Sequence, residues 1–285
     1  MSGVVRSAAD GQVAVDVTPQ SAGWEFSGLQ VLRLAPGESY ALATGGTEAL
    51  VLALSGSCRV RCGSEELEVA GRPDVFAGPS DFVYVPRDAH AEVVSDDGGR
   101  FAVASARCGR TLPFRHQAAV DVPVELRGAG SASRQVHNLC LPGTFEADRL
   151  IVCEVLTPAG NWSSYPPHKH DEEREGESVL EEIYYFEVAD GPSGPGIGYQ
   201  RVYGHDGAEI DELAEVRTGD VVLIPHGWHG PSMAAPGYDL YYLNVMAGPG
   251  ADRAWLISDD PQHAWVRDTW AAQAVDPRLP MGGSR

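Results

Sequence analysis

A ten-residue pattern occurs twice in this chain. Asp81-Phe82-Val83-Tyr84-Val85-Pro86-Arg87-Asp88-Ala89-His90 and Asp220-Val221-Val222-Leu223-Ile224-Pro225-His226-Gly227-Trp228-His229 both read Asp, four apolar residues, Pro, three residues, His, 139 positions apart. Upstream, Leu34-Ala35-Pro36-Gly37 followed by Ser39-Tyr40 resembles Leu156-Thr157-Pro158-Ala159-Gly160 followed by Ser164-Tyr165. A unit repeated at this interval constrains the chain to two copies of one supersecondary plan. Apolar or alternating runs such as Leu29 to Leu34, Ala49 to Leu54, Leu150 to Val155, Ile183 to Val188 and Leu240 to Met246 have strand length and period. They recur at roughly 8–12-residue spacing, the pattern of a sandwich or barrel. Turn clusters such as Gly78-Pro79-Ser80-Asp81 separate them, and the 33 Gly and 20 Pro fit such a turn-rich chain. The expectation is all-β, with a first domain over 1–120, a second over 121–285, and a linker in Gly109 to Gly130. A weak helical period appears only in Asp259 to Ala274.

Forty acidic residues against 21 basic ones leave a formal charge of −19. With no basic run, such a chain repels phosphate backbones and anionic lipid, so nucleic-acid and membrane roles are excluded as expectations. No apolar run reaches the ~18 residues of a membrane helix, and no secretory pattern opens the chain. The five cysteines (Cys58, Cys62, Cys108, Cys140, Cys153) are scattered and read as small buried hydrophobes in a reducing cytoplasm.

The residues that carry chemistry lie in the second half. In extended backbone, residues two apart share a face, so His168 and His170 of Tyr165-Pro166-Pro167-His168-Lys169-His170-Asp171 project together. Two adjacent imidazoles are a ready ligand pair for a first-row divalent metal. Lys169, the only lysine of the chain, is turned away from the pair. Its functional reading is a pairing with an acid that fixes the motif. After the charged stretch Asp171 to Ser178, Glu181-Glu182 open a strand-like run, and His229 follows Gly219, five residues, and Pro225. His116, His137, His205 and His263 have no such partner pattern and default to the surface.

This constellation resembles the paired metal motifs of the cupin superfamily: His-x-His with a Glu, then Gly-x5-Pro-x-Gly with a His, the last one residue short here. The superfamily Glu matches Glu182 best, with Glu181 the fallback. Three longer stretches, Thr157 to Asp171, Leu180 to Phe186 and Gly237 to Pro249, together with Gly128 to Val136, resemble the 5-deoxy-glucuronate isomerases of inositol catabolism, a branch of the uronate ketol-isomerases. The likeness is specific from about Arg127 to Arg253. It implies a bicupin of two tandem jelly-roll β-barrels and a metal held by His168, His170, Glu182 and His229, with zinc or manganese favoured and iron or nickel open. It also implies an aldose–ketose isomerisation of a small uronic acid. A base would move a proton between C2 and C1, with Glu181, Tyr184 and Tyr242 as candidates. An arginine would hold the substrate carboxylate, with Arg134, Arg149 and Arg253 as candidates. Whether copies assemble into a homo-oligomer stays open. So do a pectin-pathway ketol-isomerase, a cupin dioxygenase and a metal-free sugar-binding cupin. Aligning the halves puts Ala43 and Gly45 at the places of His168 and His170. Glu48 and His90 then stand as counterparts of Glu182 and His229, which makes the first half a scaffold.

Overall fold

The computed structural model describes residues 3–282, and its regular secondary structure is almost wholly antiparallel strand. Residues 13–117 supply a nine-stranded sheet that curls around the 16-residue strand Thr47–Cys62, which pairs with strands on both walls of the barrel. The second half supplies two sheets. One has seven strands and centres on Glu181–Val188, Leu240–Ala247 and Ile151–Thr157; the other has six and contains Gly198–His205, Trp228–Ala234 and His168–Lys169. The short strand Val4–Val5 pairs with Val221–Ile224, so the first described strand lies in the sheet of the second half. The weak helical period near the C-terminus resolves into a single α-turn, Val266–Thr269, and a 3-10 turn, Trp270–Ala272.

Period-two alternation explains the unbroken apolar runs. Along Thr47–Cys62, Val51 and Ala53 point into the first barrel, while Leu50, Leu52 and Leu54 point into a layer between the halves. Along Glu181–Val188, Tyr184 and Phe186 enter the second barrel, and Ile183 and Tyr185 enter the shared layer. Both faces of these strands are buried, which is why neither reads as apolar-in, polar-out.

Two glutamates lock the halves reciprocally. Glu48 accepts hydrogen bonds from the backbone N–H groups of Asp148, Arg149 and Leu150 at 2.6–2.8 Å. Glu181 accepts from those of Glu25, Phe26 and Ser27 at 2.7–2.9 Å. Each carboxylate thus receives the start of a strand of the other half. The counterpart of Glu48 is therefore Glu181, which corrects its alignment with Glu182. The ladders agree, because Ala49 pairs with Val85 as Glu182 pairs with Ile224, and those partners are equivalent in the repeat. The correction also removes Glu181 as base and as fallback ligand, since its oxygens are consumed by backbone donors. Glu181→Ala leaves three N–H groups without their acceptor and should cost about 2 kcal/mol of stability. A thermal melt reads the loss, and kcat below the transition should stay within about twofold of the parent.

Candidate metal centre

His168 lies on the two-residue strand His168–Lys169, hydrogen-bonded between Trp228–Ala234 on one side and Ser258–Asp259 on the other. Its direct ladder partners are His229 and Asp259. His170 follows two residues on, and Glu182 is the second residue of Glu181–Val188. All four side chains are buried, His229 completely. The His168 and His170 rings lie 4.5 and 4.7 Å from the ring of His229. Donor atoms of His170, Glu182 and His229 lie within 4.8 Å of one another, and His168 lines the cavity beside them.

Hydrogen bonding sets the tautomers. Nδ1 of His168, His170 and His229 faces the backbone carbonyls of Pro166 (3.4 Å), Leu180 (3.1 Å) and Gly227 (3.2 Å). A carbonyl only accepts, so each Nδ1 carries a proton, and in the neutral imidazole Nε2 keeps the lone pair that a metal would take. At His170, against burial, the Glu182 carboxylate on Nε2 favours a second proton there and raises the imidazole above its ordinary range. Glu182 Oε1 accepts from Asn244 Nδ2 at 2.6 Å, which turns Oε2 to within 3.0 Å of Nε2 of both His170 and His229. The Nε2 of His229 is buried and lacks a well-formed hydrogen bond. A buried acceptor of this kind is costly unless something binds it. Three imidazoles and one carboxylate fit a divalent cation in both charge and donor type. Burial, reinforced by the neighbouring His229, holds His168 well below the ordinary imidazole range. Burial alone would raise Glu182, but His170 and His229 hold its carboxyl at about 2.

A cavity of about 390 Å³ opens beside His168. Its polar wall comprises Arg127, Arg134, Ser164, Tyr184, Tyr242, Asn244, Asp259 and Arg267, with Trp255 and Ile257 among the apolar groups. Arg127 pairs with Glu125 and Arg267 with Asp259. Arg134 is buried, gives hydrogen bonds to the Ala132 and Tyr165 carbonyls, and has no carboxylate in ion-pair reach among the described residues. Burial, with Arg127 and Arg267 nearby, pushes it down to about 10. The Tyr184 hydroxyl shares a 2.7 Å hydrogen bond with Ser164 Oγ. Burial raises Tyr184 well above the usual phenol range and Tyr242 to about 12, so both are neutral.

Of the residues expected at the site, His168, Tyr184, Tyr242 and Arg134 line the cavity, and His170, Glu182 and His229 stand together beside it. Arg149 and Arg253 do not line it. Arg149 donates to the carbonyls of Pro249 and Gly250, and Arg253 to those of Leu141, Phe145 and Leu150. Neither guanidinium lines the cavity, and the hydrogen bonds they give go mainly to backbone carbonyls away from it, which corrects their assignment as carboxylate clamps. Asn244 was missed although it carries a signal: it is the one amide in the apolar run Leu240 to Ala247 and shares a face with Tyr242. Arg127, Asp259 and Arg267 had no such mark.

The KduI/IolB family model matches residues 4–266. The chain is 46% identical over 260 residues to the 5-deoxy-glucuronate isomerase of Geobacillus kaustophilus strain HTA426, covering 90% of this chain and 91% of that one. It is 39% identical over 254 residues to the 5-deoxy-glucuronate isomerase of Bacillus subtilis strain 168, covering 88% and 91%. The crystal structure of an IolB-like protein from Salmonella typhimurium LT2 superposes with a TM-score of 0.86 at 38% identity, over 92% of this chain and 98% of that chain. Lactobacillus farciminis oxalate decarboxylase shares the fold alone, with a TM-score of 0.62 at 13% identity over 90% and 88%. The expected bicupin fold therefore holds over nearly the whole chain, and the chain belongs to the KduI/IolB family.

Proposed function

We propose that this protein is an aldose–ketose isomerase that converts 5-deoxy-D-glucuronate to 5-dehydro-2-deoxy-D-gluconate. One observation carries the reading: a buried His/Glu donor set adjoins a cavity in which Arg134 is the cation without a carboxylate partner. A substrate with one carboxylate and an open-chain carbonyl matches both ends. His168, His170, Glu182 and His229 would hold a divalent ion, with zinc or manganese preferred. Such an ion supplies Lewis-acid polarisation of the C1 carbonyl.

The chain's own groups do the rest. Arg134 takes the substrate carboxylate, where low exposure strengthens a charge-assisted hydrogen bond. Trp255 and Ile257 add apolar wall to the same cavity. Tyr184, neutral at rest, gives its hydroxyl proton to O1 of the substrate and takes the proton from C2; it then delivers that proton to C1 and takes back the proton on O2, so that its hydroxyl is restored. Ser164 holds the hydroxyl in place through their shared hydrogen bond, and Tyr242 is the second candidate. Asn244 keeps the carboxylate of Glu182 turned inward. Ala43 faces His90 in the first barrel as His168 faces His229 in the second, and Ala49 stands at the place of Glu182. These residues support a scaffold role for the barrel within 1–120 and a catalytic role for that within 121–285. No described helix is long and apolar enough to cross a membrane; we place the enzyme in the cytoplasm.

Metal-loaded protein should turn over 5-deoxy-D-glucuronate, leave the pectin-pathway hexosulose uronate unchanged and take up no dioxygen. In heavy water, deuterium should enter C1 of the product. Arg134→Met should lower kcat/KM by about 10- to 100-fold, as loss of a charged hydrogen bond implies. An unaltered kcat/KM would sink the clamp, and absence of turnover in the parent would sink the reading.

A further inference from the structure

Lys169 lies between two of the four proposed ligands yet points away from them, and it is only 3% exposed. Its ammonium bonds Asp171 at 2.6 Å, Glu177 at 2.7 Å and Glu172 at 2.9 Å, and it lies 5.6 Å from the centre of the Trp228 ring. A buried ion cluster of this kind is a poor way to gain stability, because desolvation offsets most of the attraction; its better-attested use is to fix geometry. The cluster reaches every segment of the second barrel that bears an imidazole of the site. Asp171 accepts the backbone N–H of Gly227 at 2.7 Å, and the carbonyl of that same Gly227 receives Nδ1–H of His229. Glu177 accepts the N–H groups of Asp171 and Glu172, folding the loop after His170 back onto the lysine. Arg174 ties Glu177 to Ser258, the ladder partner of Lys169 on the strand that carries Asp259.

We infer that Lys169 is a positioning residue: its ammonium holds the His168–His170 strand and the Gly227–His229 turn in the register that lets the site bind its divalent ion. The inference rests on the metal reading above. A compact ammonium with three tetrahedrally directed donors suits three carboxylates that converge on one point, whereas a guanidinium presents its five donors in a single plane.

Because Lys169 is the sole lysine, its ε-amine can be followed by mass spectrometry after acylation with acetic anhydride. Chelator-treated protein, with its strand content verified by circular dichroism, is compared with zinc-saturated protein. Acylation should slow at least tenfold on zinc loading, since positioning and binding are reciprocally linked. Zinc titration of Lys169→Met should give a dissociation constant raised 10- to 100-fold, with Lys169→Arg restoring only part. Should Lys169→Met fail to fold, the acylation rates of the parent still decide. If the parent binds zinc but acylation ignores it, or if Lys169→Met binds as tightly as the parent, the inference is overturned and the metal reading stands. If the parent takes up no divalent ion, both fall.

Discussion

Glu182→Gln should reduce bound divalent metal by about 10²-fold or more in affinity and abolish isomerase activity with it. The reason lies in Asn244. Its Nδ2 donates to Glu182 Oε1 at 2.6 Å in a fully buried setting. Asn244 Oδ1 accepts from Cys153 Sγ, which keeps its Nδ2 toward position 182, so a glutamine there offers its carbonyl oxygen to Asn244. Its NH2 then faces Nε2 of His170 and His229, where a lone pair is needed. The substitution thus removes one negative charge and replaces an acceptor by a donor at the same point. Asn244→Leu keeps the charge but frees the carboxylate to rotate, and should cost the smaller 10- to 100-fold typical of partners that orient a ligand. Metal analysis of the purified variants separates these cases. Near-normal stoichiometry in Glu182→Gln would refute the ligand assignment.

The grouping of the proposed ligands was legible only in part from backbone periodicity; the choice of Glu182 and His229 came from the resemblance to the cupin motifs. Strand alternation aims His168 and His170 together, and His229 is the ladder partner of His168 on the neighbouring strand. The limits of that reading are equally physical. Two adjacent carboxylates, Glu181 and Glu182, look alike in sequence, and only the reciprocal lock of Glu48 and Glu181 tells which faces the barrel. Arginines are worse. Arg134, Arg149 and Arg253 differ in where their guanidinium groups find acceptors, and those acceptors are carbonyls of distant turns that no local pattern announces. Arg267 reaches the cavity from a C-terminal turn whose weak period gave no hint of it. His137 shows the same limit from the other side. Expected at the surface for want of a partner pattern, it is wholly buried, with Glu154 and Gln135 on its two ring nitrogens.

That buried histidine belongs to the contact between the halves whose loss should destabilise the protein most. Arg72, from the first barrel, pairs with Glu154, from the second, and also donates to the carbonyls of Ala53 and Gly78. Glu154 further accepts from Tyr241 at 2.7 Å and from His137 Nδ1 at 3.0 Å. Burial pushes the Glu154 carboxyl up, but Arg72 and then His137 outweigh it and hold it at about 2. Arg72→Met leaves Glu154 buried without its countercharge and the two carbonyls without a donor. The expected cost is about 3–5 kcal/mol at pH 7, measured by urea unfolding. The sign of the pH dependence follows from the depressed carboxyl. Its contribution is complete above the unfolded value of 4.5 and is lost as pH falls through about 2. The gap between parent and Arg72→Met should therefore narrow as pH falls across that window. Adding Glu154→Leu to Arg72→Met removes the stranded charge and should recover a large part of the loss. A double variant no more stable than Arg72→Met would mean that the guanidinium's hydrogen bonds to Ala53 and Gly78, rather than its charge, join the two barrels.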